Sequence, residues 1–390
     1  MTDRGKSLLL GLATLLACFL LAEVGLRTYQ RIAKGVPFFT PLPGYRPTRF
    51  AISPFLVHGP RRDWQIEGRD APETSYFNDQ GFRTLERLGP KPPGEIRIIA
   101  LGGSTTENAW NTEGTHWPLE LERELRRAGH GGVRVYNGGM SAYSSAHSLV
   151  RLAQDALHYD PDLVLVMHNV NDLTVNYHAV LTGQLFDHNY LVKYGKKSLT
   201  GEIDSGDVVL SRVWAAVSSR LGGSISQDPA VFPDDYSTDA GLDVFRRHLV
   251  SLDAVARAHG AELVLLTMPV SRDLDVYAYT QAHQVGRIDR LPPRERFLAD
   301  FDRYNEAIRQ VGRDRGIRVV DMAALFPEDD GLFADVVHYT AEGLRRFGRT
   351  LAPRLAPALV ASSAAGTPGA SAPPQPLAPL TQRQTLRPDQ

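Results

Sequence analysis

Short apolar runs recur along this chain, each leading into a stretch of helical periodicity. The runs are Ile96–Leu101, Val133–Tyr136, Leu163–Met167, Leu263–Met268 and Ile317–Val320. Helical patterns lie near Trp117–Ala128, Ser145–His158, Leu242–Ala258, Arg294–Arg315 and Thr340–Leu355. A strand that is apolar along its whole length is buried on both faces, and strand–helix alternation covers a parallel sheet with helices. The pattern predicts an α/β fold around a parallel sheet. Sites on such sheets lie beyond the carboxyl ends of the strands. The residues that follow each run are therefore where chemistry is to be sought. A chain of 390 residues with 43% hydrophobic content can bury the core this needs.

The rest of the chain divides around this alternation. Residues 1–35 read as an apolar N-terminal segment with its flank. Residues 36–94 are rich in Pro, Gly and aromatics, with punctuation such as Pro41-Leu42-Pro43-Gly44 and Pro90-Lys91-Pro92-Pro93-Gly94. They read as an extended lead-in packed on the main domain. The α/β domain is expected over 95–360, with an insertion at about 185–238 that breaks the alternation. Such insertions are lids, binding loops or surface loops. Residues 361–390 lack aromatics and are rich in Ala, Pro, Ser, Thr and Gln, the composition of a disordered tail.

Arg4 and Lys6 precede an apolar stretch from Leu8 to Ala22, resumed after Glu23 by Val24–Leu26. This approaches the length that spans a bilayer as a helix. A cleaved signal is the rival reading, and Leu15-Leu16-Ala17-Cys18 faintly resembles a lipoprotein cleavage box. The apolar run continues past Cys18, which favours an uncleaved anchor. So short a leader is expected to stay inside, which places the large domain in the periplasm or outside the cell. The formal net charge of −1 and the absence of a long basic run point away from nucleic acid as a partner. Cys18 is the single cysteine, so neither an internal disulfide nor a cysteine zinc site is available. His178 and His188 have no ligand spacing, and no metal or other cofactor is expected.

Two segments far apart in the chain read as halves of one catalytic arrangement. Gly102-Gly103-Ser104-Thr105 follows the first apolar run and places a serine on a tight turn at the start of a helix. Asp335-Val336-Val337-His338-Tyr339-Thr340 precedes the last helical pattern. An Asp three residues before a His can orient the imidazole within one turn of chain. Together they supply the nucleophile, base and orienter of a serine hydrolase. Each has a plainer reading. Ser104 can be a helix N-cap with Glu107 three residues on, and the Asp335–His338 segment can be a solvated loop before a Thr340 cap. Asn171 can be a turn residue, Asp172 a backbone cap, and His168 a buried structural histidine.

Two further blocks lie between: Asn137-Gly138-Gly139-Met140-Ser141-Ala142-Tyr143-Ser144-Ser145 and His168-Asn169-Val170-Asn171-Asp172-Leu173. In this order the four blocks resemble those of the SGNH hydrolases, the GDSL esterase/lipase family, over roughly Glu95 to Leu359. The resemblance implies a flavodoxin-like three-layer α/β/α fold with a parallel sheet and cofactor-free hydrolysis of acyl esters. It implies Ser104 as nucleophile, His338 as base and Asp335 as its orienter. It implies an oxyanion hole from the backbone N–H groups of Ser104 and Ala142 and the side chain of Asn171, with Gly139 as an alternative donor. Gly-Gly-Ser-Thr stands for the commoner Gly-Asp-Ser, and Ala142 and Asn169 stand where glycines are usual. A backbone donor survives at Ala142 if φ is negative there. Phe77-Asn78-Asp79-Gln80-Gly81-Phe82-Arg83 and Glu23-Val24-Gly25-Leu26-Arg27 are similar to elements of membrane-anchored bacterial members. For the Asn78–Arg83 element, a turn that docks the lead-in is as good a reading as a direct role. The expected substrate is an ester, carried on a glycan or a lipid. Acyl transfer to a sugar hydroxyl, or a silent glycan-binding or assembly module on the same fold, are the competing functions.

Overall fold

The computed structural model describes residues 3–34, 50–53, 55–65, 76–84, 86–109, 115–182, 213, 232–233, 235–283 and 291–365. Much of the 36–94 lead-in, most of the 185–238 insertion and residues 366–390 lie outside these.

Helix α1 (Asp3–Lys34) carries the apolar N-terminal segment. Its Gly5–Ala33 stretch holds an 18-residue window of mean hydropathy 2.2 that is not buried in the core, and is long and apolar enough to cross a membrane. Glu23, the acidic residue inside it, pairs with Arg27 one turn on at 2.7 Å. The described lead-in contains two small antiparallel pairs. Strand β1 (Phe50–Ser53) pairs with β2 (Val57–Pro60), and β3 (Trp64–Gln65) with β4 (Tyr76–Phe77).

The α/β region then follows. In chain order it comprises β5 (Ile96–Gly102), α2 (Ser104–Glu107), α3 (Trp117–Arg127), β6 (Val133–Asn137), α4 (Ser145–Gln154), β7 (Leu163–Met167) and α5 (Val170–Thr182). It continues with α6 (Asp239–Ala258), β8 (Glu262–Leu266), α7 (Leu274–His283), α8 (Arg294–Arg315), β9 (Arg318–Val320), α9 (Met322–Leu325) and α10 (Ala341–Ala365). The five strands form one parallel sheet in the order β6-β5-β7-β8-β9. The expected Ser145–His158 helix ends at Gln154, and Ala156–Tyr159 forms a separate 3-10 turn. Helix α10 runs to Ala365, past the boundary read at residue 360.

The core explains the apolar runs. Ile98, Ile99, Ala100, Leu101 and Leu163–Met167 are buried in the middle of the sheet, with helices on both faces. Helices α3 and α10 cover one face, and α4, α5, α6 and α8 pack on the other. Trp117 of α3 meets Phe347 of α10 with ring centroids 5.2 Å apart. Gly348 permits this approach, because a Cβ there would sit 2.7 Å from the Glu120 backbone carbon. On the other face, the buried Asp300 carboxylate of α8 accepts from Tyr177 at 3.0 Å, Tyr236 at 2.9 Å and Thr238 at 3.3 Å. A buried carboxylate is tolerated when so satisfied. This one ties the chain that returns at 236–238 to α5 and α8.

The strand order places β5 between its successor β6 and the later β7. That reversal is the switch point of an open parallel sheet, where the loops diverge and leave a crevice. Ser104 follows β5 and Asn171 follows β7, so the two flank this crevice.

Candidate active site

Ser104 is the first residue of the one-turn helix α2, not its cap. The N-cap is Gly103, at φ −86° and ψ −152°. Both glycines before Ser104 are required by space, not by a left-handed conformation. A Cβ on Gly102 would lie 2.2 Å from Thr106 Oγ1 and 2.9 Å from the Met167 carbonyl. A Cβ on Gly103 would lie 2.4 Å from Asn171 Nδ2 and 3.0 Å from the Tyr143 carbonyl. Glu107 does not close a capping box on Ser104. Its buried carboxylate accepts from the Ser141 backbone N–H at 2.6 Å and from the Ser141 hydroxyl.

His338 reaches Ser104 from the far end of the sheet. Its Nε2 lies 2.8 Å from Ser104 Oγ, and its Nδ1 lies 2.6 Å from Asp335 Oδ2. The carboxylate accepts the Nδ1 hydrogen, which leaves Nε2 to accept the serine proton. Asp335 Oδ1 accepts from the backbone N–H groups of Val337 and His338, each at 2.9 Å. Burial pushes the Asp335 carboxyl up. The His338 charge and hydrogen bond, together with the two backbone donors, outweigh it and hold the group below the ordinary value. The loop is pinned on both sides. The Val336 carbonyl accepts from Ser271 N, its N–H donates to Thr280, and Tyr339 is buried against Phe326, Phe333 and Phe347. The solvated-loop reading is therefore wrong for the backbone, although Thr340 does cap α10 through its Oγ1 at 3.1 Å from Gly343 N.

The second block lies beside Ser104. Ala142 has φ +70°, so the negative φ that would let a non-glycine residue sit there without cost is not what the chain adopts. The left-handed conformation costs alanine about 1–2 kcal/mol. Its neighbours hold it there, and Ala142 also packs against Val175, Ala179 and Val244. Among the described residues, the N–H groups of Ser104 and Ala142 donate to no protein acceptor. Gly139 N, the alternative donor, is already bonded to Asn137 Oδ1 at 2.9 Å. Asn171 Nδ2 donates one hydrogen to the Tyr143 carbonyl at 2.8 Å, and its amide retains a second. The Ser104 and Ala142 N–H groups and the oriented Asn171 amide are together the kind of donor set that can hold a developing oxyanion.

Asn169, at another position where glycine was expected, turns away from this group. Its Nδ2 donates to the Phe301 carbonyl and to Asn305 Oδ1, both at 3.0 Å, in the buried seam with α8. Asp172 is not a local turn cap: it lies in α5 and its side chain reaches another element. It accepts from Ser145 N at 3.0 Å and Ser145 Oγ at 2.5 Å at the start of α4. His168 is structural: its Nε2 meets Ser148 Oγ at 2.7 Å and the ring is buried. Sequence reading missed the grip of Glu107 on Ser141. It also missed Arg83, whose guanidinium donates to the Glu107 carbonyl at the end of α2. The Asn78–Arg83 element that carries it was the visible signal.

His168 belongs to a buried group with a predictable acid response. Burial, then neighbouring positive charge, lowers His147 to about 3, His168 to about 3 and His248 to about 4. The unfolded chain takes up these protons near pH 6.5 and the folded chain does not. Stability is therefore full above about pH 6.5 and falls as pH drops toward the folded values, by up to about 1.4 kcal/mol per pH unit for each histidine. The urea midpoint is expected to drop steeply between about pH 6.5 and 4.5, and less steeply in His168→Asn. A flat midpoint over this range would contradict the burial.

Asn171→Ala is expected to lower kcat about 10²- to 10³-fold with little change in KM, because its amide matters most once the carbonyl oxygen is negative. Asn171→Asp, which places negative charge against that oxygen, is expected to be at least as harmful. Steady-state kinetics on an ester decides it. Wild-type kcat in both variants would reduce Asn171 to a turn residue.

The sequence matches the model of the GDSL-like lipase/acylhydrolase family over residues 100–346. No curated protein matches the chain. Similar solved structures include a lipase/acylhydrolase from Enterococcus faecalis, 16% identical, covering 67% of this chain and 95% of that one, with a TM-score of 0.39. A GDSL-like lipase from Bacteroides thetaiotaomicron is 13% identical, covering 70% and 93%, with a TM-score of 0.39. An acetyl xylan esterase from Geobacillus stearothermophilus is 15% identical, covering 67% and 94%, with a TM-score of 0.39.

Proposed function

This chain belongs to the GDSL-like lipase/acylhydrolase family, and we propose that it is a serine esterase held to a membrane by α1. One observation carries the reading: Ser104 Oγ lies 2.8 Å from His338 Nε2, whose Nδ1 lies 2.6 Å from Asp335. Ser104 Oγ attacks the ester carbonyl carbon while His338 Nε2 takes its proton. The carbonyl oxygen becomes an oxyanion and accepts from Ser104 N, Ala142 N and Asn171 Nδ2. The C–O bond to the alcohol then breaks, and His338 returns the proton to the leaving oxygen. Water attacks the Ser104 acyl ester with His338 again as base; the acyl carbon's bond to Ser104 Oγ breaks, His338 returns the proton to that oxygen, and the acid is released. Asp335 keeps Nδ1 protonated and stabilises the imidazolium in each half.

A panel of acyl esters tests this, graded in chain length and carried on sugars, glycerol and a chromogenic alcohol. Free acid is the expected product. Acyl transfer to an added sugar, without free acid, would make the enzyme an acyltransferase with the same residues. No turnover across the panel would favour a silent binding module.

The position of α1 near the N-terminus and its apolar length support the anchor, and a cleaved signal has the same features. The full chain is expected to stay with membranes through a carbonate wash, and removal of residues 1–34 is expected to release a soluble domain. A shortened chain in the soluble fraction would mean that the segment is cleaved.

A further inference from the structure

We propose that His58, on strand β2 of the lead-in, is a positioning residue that aims the Ala142 N–H at the reacting carbonyl. The proposal rests on the reading of Ser104, Ala142 and Asn171 as an oxyanion hole. His58 lies outside the region that the family model matches, residues 100–346.

His58 is buried, and its Nε2 donates to the Ser141 carbonyl at 3.0 Å. A carbonyl only accepts, so Nε2 carries the hydrogen. The Ser141 carbonyl and the Ala142 N–H are the two ends of one planar trans peptide and point in opposite directions. To fix one end is to fix the other. Ala142 itself cannot hold that plane, because its left-handed φ of +70° is not a conformation alanine keeps unaided.

The grip is reciprocal. The Tyr143 hydroxyl donates back to the His58 carbonyl at 3.0 Å, and the His58 and Tyr143 rings meet edge to face at 5.3 Å. Ala142 thus sits between two residues that are each bonded to His58. Phe50 also packs against the imidazole edge to face, with ring centroids 5.3 Å apart. Glu107 holds the Ser141 N–H from the nucleophile's own helix. Asn171 donates to the Tyr143 carbonyl at 2.8 Å. The Ser141–Tyr143 segment around the donor is therefore held from the lead-in, the nucleophile helix and α5 together. Of these, the lead-in clamp is the one that acts on the peptide carrying the Ala142 N–H.

The experiment compares full-length wild type, His58→Phe, His58→Gln and Tyr143→Phe on one ester substrate. His58→Phe keeps the ring packing and loses the donor. Glutamine places an amide N–H near the Nε2 position. His58→Phe is expected to lower kcat about 10- to 100-fold with KM changed less than about threefold, the split expected of a donor used only in the transition state. Its fluorophosphonate labelling is expected to be slower but to reach the same final stoichiometry. His58→Gln is expected to recover kcat to within about fivefold of wild type, and Tyr143→Phe to fall between. Wild-type kcat in His58→Phe would overturn the proposal. So would a His58→Gln variant as slow as His58→Phe, since packing rather than the donor would then be what matters. If His58→Phe does not fold, Tyr143→Phe and His58→Gln decide the matter: wild-type kcat in the first, or a collapse of kcat in the second, overturns it. Absence of hydrolysis and labelling in the wild type would instead overturn the underlying esterase reading.

Discussion

Ser104→Ala is expected to reduce ester hydrolysis at least about 10⁴-fold and to abolish fluorophosphonate labelling, with the thermal midpoint little changed. The serine is half-buried at the head of α2, and its hydroxyl bonds only to His338 among the described residues. Its removal takes away one exposed-side hydrogen bond and no packed volume, so the fold has little to lose. The chemistry loses the atom that forms the covalent intermediate. What remains is catalysis by the oxyanion donors and by binding alone. A variant with substantial turnover would mean that the ester is cleaved elsewhere.

Asp335→Asn is expected to lower kcat about 10⁴-fold near neutral pH while the loop keeps its shape. One oxygen of Asp335 accepts from the Val337 and His338 N–H groups, and the other accepts from His338 Nδ1. Asparagine has one acceptor and one donor to place in these two positions. The pair of backbone donors claims the oxygen, so the amide NH₂ faces Nδ1. The imidazole must then carry its hydrogen on Nε2, where it cannot take the Ser104 proton. The defect is one of tautomer, and circular dichroism and the urea midpoint are expected to stay close to wild type. Activity within about tenfold of wild type would show that Asp335 does not orient the base.

The parts of the fold that the sequence displayed are those where burial leaves a pattern. Leu163–Met167 is buried on both faces, so the strand reads as an unbroken apolar run, and its ends coincide with the expectation. Arg294–Arg315 has helical periodicity and a Gly316 stop at φ +63°, and its ends also coincide. Val170–Thr182 was not read as a helix. Its Val, Asn and Thr residues have poor helical propensity, and packing on α6 and α8 is what makes it helical. The small strands of the lead-in are two to four residues long, too short for alternation to register.

The site shows the same division. Ser104, Asp335, His338 and Asn171 stood out because each follows a strand end or keeps a short fixed spacing, and the structure brings them together. What holds them in place was hidden. The glycines at 102 and 103 make room for Thr106, Met167, Tyr143 and Asn171, and most of these contacts cross between elements. Glu107 had the spacing of a helix cap and instead grips Ser141. His58 lies 83 residues from the carbonyl it holds, in a segment whose composition reads only as loop. Local pattern carries no record of such pairings.

The central claim is that Ser104 becomes acylated. Full-length protein treated with a fluorophosphonate, digested and mapped by mass spectrometry is expected to carry one adduct, on the peptide containing Ser104, with the untreated mass retained in Ser104→Ala. An adduct on another serine, or no adduct from a folded protein, would contradict the account.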